Sequence, residues 1–134
     1  MALRYYTTVI DCHDIAAQAR WWAETLGWQI VYEDAEEVAL IPAWASEDQV
    51  ADVGTWLRQP QGLVFVEVPE GKELKNRLHI DLAPHIDQDR DAEIAALIKR
   101  GATYVDVGQS SDVTWTVLAD PEGNEFCVLS SRDR

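Results

Sequence analysis

The chain has no long apolar run. Its most apolar stretches are short segments such as "GLVFVEV" (62–68), well below the length needed to span a membrane. The opening "MALRYYTTVIDC" has no apolar core followed by a cleavage site, so no signal peptide is expected. Cysteine is scarce. Cys12 and Cys127 make no disulfide framework, and a reduced, cytoplasmic protein is the expectation. Positive charge is scarce as well, with 11 Lys and Arg against 24 Asp and Glu and a net charge of −13. Binding to phosphate backbones or anionic lipid needs clustered cations, so nucleic acid and membrane surfaces are excluded as partners. The remainder is ordinary for a globular chain: 134 residues, 47% apolar and 26% charged, enough for one domain with a real core.

What is present is a repeated order of elements. "YYTTVIDC" (5–12) is rich in β-branched and aromatic residues and predicts a strand. Asp14 stands at a helix N-cap position, Ile15, Ala19, Trp22 and Leu26 recur at helical spacing, and Gly27 supplies the stop. "WQIVYED" and "EVALIPA" predict a hairpin turning at 34–36. The polar stretch 44–62 reads as a long loop or a short helix, and "GLVFVEVPE" as a strand ended by Pro69. Then the order begins again. "RLHIDLAP" is a strand, and 87–100 a helix with Ile94, Leu97 and Ile98 on one face. Asp87, Asp89 and Asp91 lie near the start of that helix and Lys99 and Arg100 at its end, as the helix dipole favours. Gly101 is its stop. "ATYVDVG", "VTWTVLAD" and "NEFCVLSS" predict three more strands, the last two joined by the turn "DPEG".

The pattern is β-α-β-β-β twice, with an offset too long for a solenoid repeat. It predicts a single α+β domain over 1–134, built from module one at 4–70, with an insertion at 43–61, and module two at 76–131. Each module alone would leave one sheet face open. Two such modules can pair their curved, mixed sheets around a central cavity.

"DIAAQARWWAETLGWQIVYED" resembles the helix and following strand of the glyoxalase/bleomycin resistance/extradiol dioxygenase group, the vicinal oxygen chelate superfamily. "TVLADPEGNEFCVL" resembles the closing hairpin of the same group. "KNRLHIDLAP", the acidic helix and "RGATYVDVG" are similar to glyoxalase-like domains common in actinobacteria. The likeness covers nearly the whole chain except 43–61. It implies the glyoxalase/bleomycin resistance/dihydroxybiphenyl dioxygenase fold, whose members isomerise, oxygenate, epimerise or only bind.

The resemblance also implies where a metal would sit. The family's metalloenzymes take His, Glu or Gln ligands from the first and last strand of each module, holding iron, manganese, nickel or zinc with open positions for substrate oxygens. His79 matches a ligand histidine. Thr7 or Thr8 stands where a second histidine is usual, and Val66 or Glu67 falls at the end of module one. Cys127 takes the place of the usual glutamate, with Glu125 two residues earlier on the same strand face. His79 with Glu125 or Cys127 gives two candidate ligands, His79 and Glu125 foremost, and Glu67 is a candidate third. This departs from the usual ligand set of a catalytic site, which wants about three protein ligands. The expectation is therefore a small-molecule-binding protein without the usual complete metal site. The alternative is a lyase, isomerase or dioxygenase-type enzyme with or without a divalent metal. It would use His79 and a carboxylate, Glu67 or Glu125, as a base whose pKa burial raises.

Strand alternation assigns Leu78, Ile80 and Leu82 to the face under the helix, and His79 and Asp81 to the other. Phe65 pairs with Glu67, and Glu125 with Cys127. Six tryptophans are many for this length. Trp22 belongs to the helix core, whereas Trp21 lies off the stripe and is expected to meet solvent or another subunit. Trp44 and Trp56 flank the insertion and are expected to anchor it or to stack on a flat, apolar or cationic ligand at the cavity mouth. The predicted cavity wall is thus Thr7, Phe65, Glu67, His79, Asp81, Glu125, Cys127, Trp44 and Trp56. Plainer readings stand beside these: His79 as a hydrogen-bonded wall residue, Cys127 and Cys12 as small buried apolar groups, and His13 and His85 as exposed turn neighbours. A symmetric homodimer is expected.

Overall fold

Asp14 and Gly27 bracket the first helix as their residue types require. In the computed structural model, which describes residues 3–134, the Asp14 carboxylate accepts the Ala17 N–H at 3.1 Å. Gly27 takes the left-handed conformation at φ 66° and closes the helix by donating to Ala23 O. Helix α1 (Ile15–Leu26) follows strand β1 (Thr7–Cys12) and leads into β2 (Trp28–Glu33) and β3 (Glu37–Pro42). A short helix α2 (Val53–Leu57) precedes β4 (Gly62–Glu67). Beyond it come β5 (Ile80–Leu82), α3 (Arg90–Lys99), β6 (Thr103–Tyr104), β7 (Thr116–Ala119) and β8 (Glu125–Val128).

The chain divides into two compact units, Met1–Gly71 and Lys72–Arg134. Each holds one four-stranded mixed sheet, ordered β1-β4-β3-β2 in the first and β5-β8-β7-β6 in the second. In both, the first and last strands pair in parallel and the others antiparallel. The β-α-β-β-β pattern is therefore realised twice with the same strand order, an α+β fold. No described helix is long and apolar enough to cross a membrane.

In the first unit α1 covers one sheet face. Val38, Leu40, Leu63 and Phe65 are buried there with Ile15, Ala19, Trp21 and Trp22. This corrects two expectations. Phe65 was assigned to the cavity wall, but it is 0% exposed on the helix-covered face. Alternation sorts a strand into two faces without saying which one is covered. Trp21 is buried too, edge-on to Trp22 with ring centroids 5.1 Å apart. With Gln18 also buried, the apolar stripe of α1 is wider than the four-residue spacing suggested. The opposite sheet face carries Thr7, Val9, Ala39, Ile41, Val64 and Val66, and it is not sealed, as exposed Val9 shows.

The 43–61 insertion is a loop with one short helix. The Gln29 side chain pins its start by donating to the carbonyls of Pro42, Ala43 and Ala45. Asp52 caps α2 by accepting the Thr55 N–H at 2.7 Å and the Thr55 hydroxyl at 2.8 Å.

In the second unit Asp89 caps α3, accepting the N–H groups of Asp91 and Ala92. Ile94 and Leu97 face the core with Leu118, Phe126 and Val128. Arg90, at the first turn, donates from Nε to Leu129 O and from Nη2 to both Thr116 Oγ1 and Val128 O, each at 2.8 Å. The Asp120 carboxylate closes the β7–β8 turn by accepting the N–H groups of Glu122 and Asn124. Strand β5 is only three residues long. Leu78, expected under the helix, lies before it and is 87% exposed.

Candidate functional site

Chemistry-bearing side chains gather at two separate places, one in each unit. In the second unit the parallel ladder sets Asp81 opposite Cys127. His79, just before β5, brings Nε2 to 3.0 Å from Asp81 Oδ1, and both side chains are about half exposed. His79, Asp81 and Cys127 each offer a potential ligand atom, and these atoms lie within 4.8 Å of one another. Burial pushes the Cys127 thiol pKa up. The negative charge of Asp81 and the hydrogen bond to it add to the shift, while Lys75 opposes it. Cys127 is thus a buried, protonated thiol donating to Asp81, a poor nucleophile as it stands.

Glu125 shares the face of Cys127 but is not in this group. Its Oε1 lies 2.9 Å from Lys72 Nζ and its Oε2 accepts the Asn76 N–H at 3.0 Å. The side chains of Glu125 and Lys72 are 11% and 19% exposed. Burial, the largest single influence, pushes the Glu125 carboxyl up. The Asn76 N–H and the Lys72 ammonium together outweigh it and hold the carboxyl below its ordinary value. A base raised by burial was the expectation; the geometry gives an ion-paired carboxylate with both oxygens engaged. Glu67, the other carboxylate considered, stands exposed at the end of β4.

The second place is a cavity of about 780 Å³ in the first unit, on the sheet face away from α1. Thr7, Val31, Ala39, Ile41 and Val64 contribute to its floor. Gly62 belongs there because a Cβ would come within 2.7 Å of Leu40 O. The insertion forms the wall through residues 45–51, Trp56, Gln59 and Pro60. Of the two tryptophans expected at a cavity mouth, Trp56 lines this cavity. Trp44 does not: it sits at the corner of the turn closed by Ala45 N–H to Pro42 O, and it is 77% exposed. Thr7 is at the cavity as expected.

Arg4 and Tyr6 complete the lining. The Arg4 guanidinium carbon stands 4.7 Å from the Tyr6 ring centroid and 5.3 Å from that of Trp56. Sequence reasoning passed over Arg4 because it lies upstream of the first strand. The signal available was an arginine beside two tyrosines, "RYY", in a chain poor in cations.

An α+β chain with two β-α-β-β-β units of identical strand order has the fold of the vicinal oxygen chelate superfamily. Residues 7–129 match the model of the family described as "Glyoxalase-like domain", and the chain belongs to that family. Among solved structures, it is similar to a glyoxalase/bleomycin resistance protein/dioxygenase family enzyme from Burkholderia phytofirmans PsJN, with 17% identity and a TM-score of 0.66, covering 97% of this chain and 100% of that one. It is similar to the oxidase ChaP-H2, with 19% identity and a TM-score of 0.62 over 99% and 96% of the two chains. It also resembles the genomically encoded fosfomycin resistance protein FosX from Listeria monocytogenes, complexed with Mn(II) and 1S,2S-dihydroxypropylphosphonic acid. There the identity is 8% and the TM-score 0.66, over 98% and 92%. Identities this low speak to the fold alone. No match was found among curated proteins.

The superfamily implies a divalent metal, and the residues present can be tested against one. His79, Asp81 and Cys127 supply nitrogen, oxygen and sulfur donors, the number of protein ligands a catalytic site needs. Of the expected pairs, His79 with Cys127 is the one brought together; Asp81 joins them, and Glu125 and Glu67 do not. The set fits a metal in number and kind, with one cost: Cys127 must lose a proton that its surroundings hold on to.

Proposed function

We propose that this chain is a small-molecule-binding glyoxalase-like protein whose ligand occupies the cavity of the first unit. The observation that carries this is the cavity itself, about 780 Å³, with an apolar floor of Val31, Ala39, Ile41 and Val64, the polar side chains of Ser46 to Gln49 along the insertion, and Trp56 as the insertion's aromatic contribution. That volume lies within the range of small-molecule sites in proteins. The general-base chemistry considered from the sequence has little support. Glu125 is committed to Lys72 and Asn76, and His79 is engaged with Asp81. We further propose a homodimer in a reducing, cytoplasmic setting, which two buried cysteines, not bonded to each other, suit. The test is equilibrium binding followed by mass spectrometry of the released compound. A ligand that leaves chemically unchanged, and whose affinity falls in Trp56→Ala, supports the reading. Recovery of a converted product would contradict it.

A second reading is favoured by one observation, the three donor atoms within 4.8 Å in the second unit. On this reading the protein is a lyase, isomerase or dioxygenase-type enzyme, with His79, Asp81 and Cys127 holding iron, manganese, nickel or zinc. A metal there would supply a Lewis acid for neighbouring substrate oxygens. Asp81 would have to release both His79 and the Cys127 thiol, and the thiol would have to ionise. Elemental analysis of protein purified without chelator decides it. Stoichiometric metal that is lost in His79→Ala supports the enzyme, and metal-free protein excludes it.

A further inference from the structure

We propose that the ligand of the first-unit cavity carries a single carboxylate, read by Arg4, on an apolar body. This rests on the reading of that cavity as a ligand site and specifies the chemistry it selects.

Arg4 is the one basic side chain among the described residues that line the cavity. Its guanidinium lies against both Tyr6 and Trp56. Aromatic rings in an acidic protein suggest a cage for a cationic ligand, but here they already hold a cation. A second positive charge beside Arg4 would be repelled. The site therefore offers a positive charge fixed by stacking, which is what an anion needs.

The guanidinium also has donors to spare. Nε is buried and has no hydrogen-bond partner among the described residues. Nη2, on the same edge of the fork, reaches only the Pro60 carbonyl at 3.3 Å. A buried N–H without an acceptor is costly, and the fork matches the two oxygens of a carboxylate. A small turn of the terminal torsions that brings this edge onto a carboxylate in the cavity removes the deficit.

The rest of the lining sets the body and the charge. Val31, Ala39, Ile41 and Val64 give an apolar floor. Glu47 and Asp48 also line the cavity and are exposed. Their charges are screened by salt yet still weigh against a dianion, so a monocarboxylate is favoured over a phosphate ester.

The experiment uses three probes with one ring system: naphthalene-2-carboxylate, its carboxamide and 2-(aminomethyl)naphthalene. Each is titrated calorimetrically into the full chain. The carboxylate is expected to bind about tenfold or more tighter than the amide, as a charge-assisted bidentate contact implies, and the ammonium most weakly. Arg4→Gln is expected to abolish the preference for carboxylate over amide. Thermal melting checks that the variant folds. If it does not, Arg4→Lys carries the test, because a lysine keeps the charge without the fork and should lower the preference. Equal binding of carboxylate and amide to the wild type, or a preference untouched by the variants, overturns the role of Arg4 and leaves the cavity reading standing. Failure of all three probes to bind overturns the cavity reading itself.

Discussion

The two units share a strand order and differ in what their second sheet faces carry. In the first, four strands of six residues each support a cavity with an apolar floor, one stacked arginine and a wall made by the 43–61 insertion. In the second, the strands are two to four residues long, and the face opposite Leu118 and Phe126 carries Asp81, Cys127 and Glu125, with His79 beside it, linked to one another or to Lys72 and Asn76, with Cys127 buried. The lesson is physical. Caps, glycine stops and alternation are enough to write the same topology twice. What the topology does is set by the few side chains on the uncovered face and by the segments inserted between strands.

The comparison can be broken first at the two cores. Phe65 in the first unit and Phe126 in the second are both fully buried. Phe65→Ala and Phe126→Ala should each cost about 3–5 kcal/mol in denaturant unfolding. Unequal losses would show that one unit relaxes around the cavity and the other does not. The next effect belongs to the second unit alone. Arg90→Ala leaves the carbonyls of Val128 and Leu129 and the Thr116 hydroxyl without their donor, and it should cost about 2–3 kcal/mol.

A smaller effect follows from Glu125, and its sign can be worked out. The folded carboxyl lies below its unfolded value. The stability it contributes is therefore fully present above the unfolded pKa and is lost as pH falls through the lower, folded one. Melting of the wild type should fall on acidification below about pH 4.5, and Glu125→Gln should flatten that part of the profile. At neutral pH the same substitution should cost about 1 kcal/mol through the weakened hold on Lys72 and Asn76. A profile unchanged by the substitution would contradict the ion pair. The smallest effect separates the two tryptophans of the insertion. Trp44→Ala should change stability by less than about 0.5 kcal/mol and leave ligand affinity alone, while Trp56→Ala should weaken binding measurably in the same titration.

Much of the fold was legible because its determinants are local. Asp14 and Gly27 announce α1, and the Asp120–Gly123 turn announces the last hairpin. The site was less legible because its determinants are not local. Glu125 looked like a base or a ligand until its partners, 49 and 53 residues away, came into view. Phe65 and Glu67 obey the same alternation, yet one is core and the other, the last residue of β4, is exposed. Leu78 failed as a core residue because β5 begins at Ile80 and the preceding segment is held through Glu125 instead. Arg4 gained meaning only when the insertion brought Trp56 beside it.

The central claim is that ligand binding belongs to the first unit and not to the His–Asp–Cys cluster. Calorimetric titration of naphthalene-2-carboxylate into the wild type, Trp56→Ala and His79→Ala tests it directly. The account predicts affinity lowered in Trp56→Ala and unchanged in His79→Ala. Affinity lost in His79→Ala and kept in Trp56→Ala would contradict it.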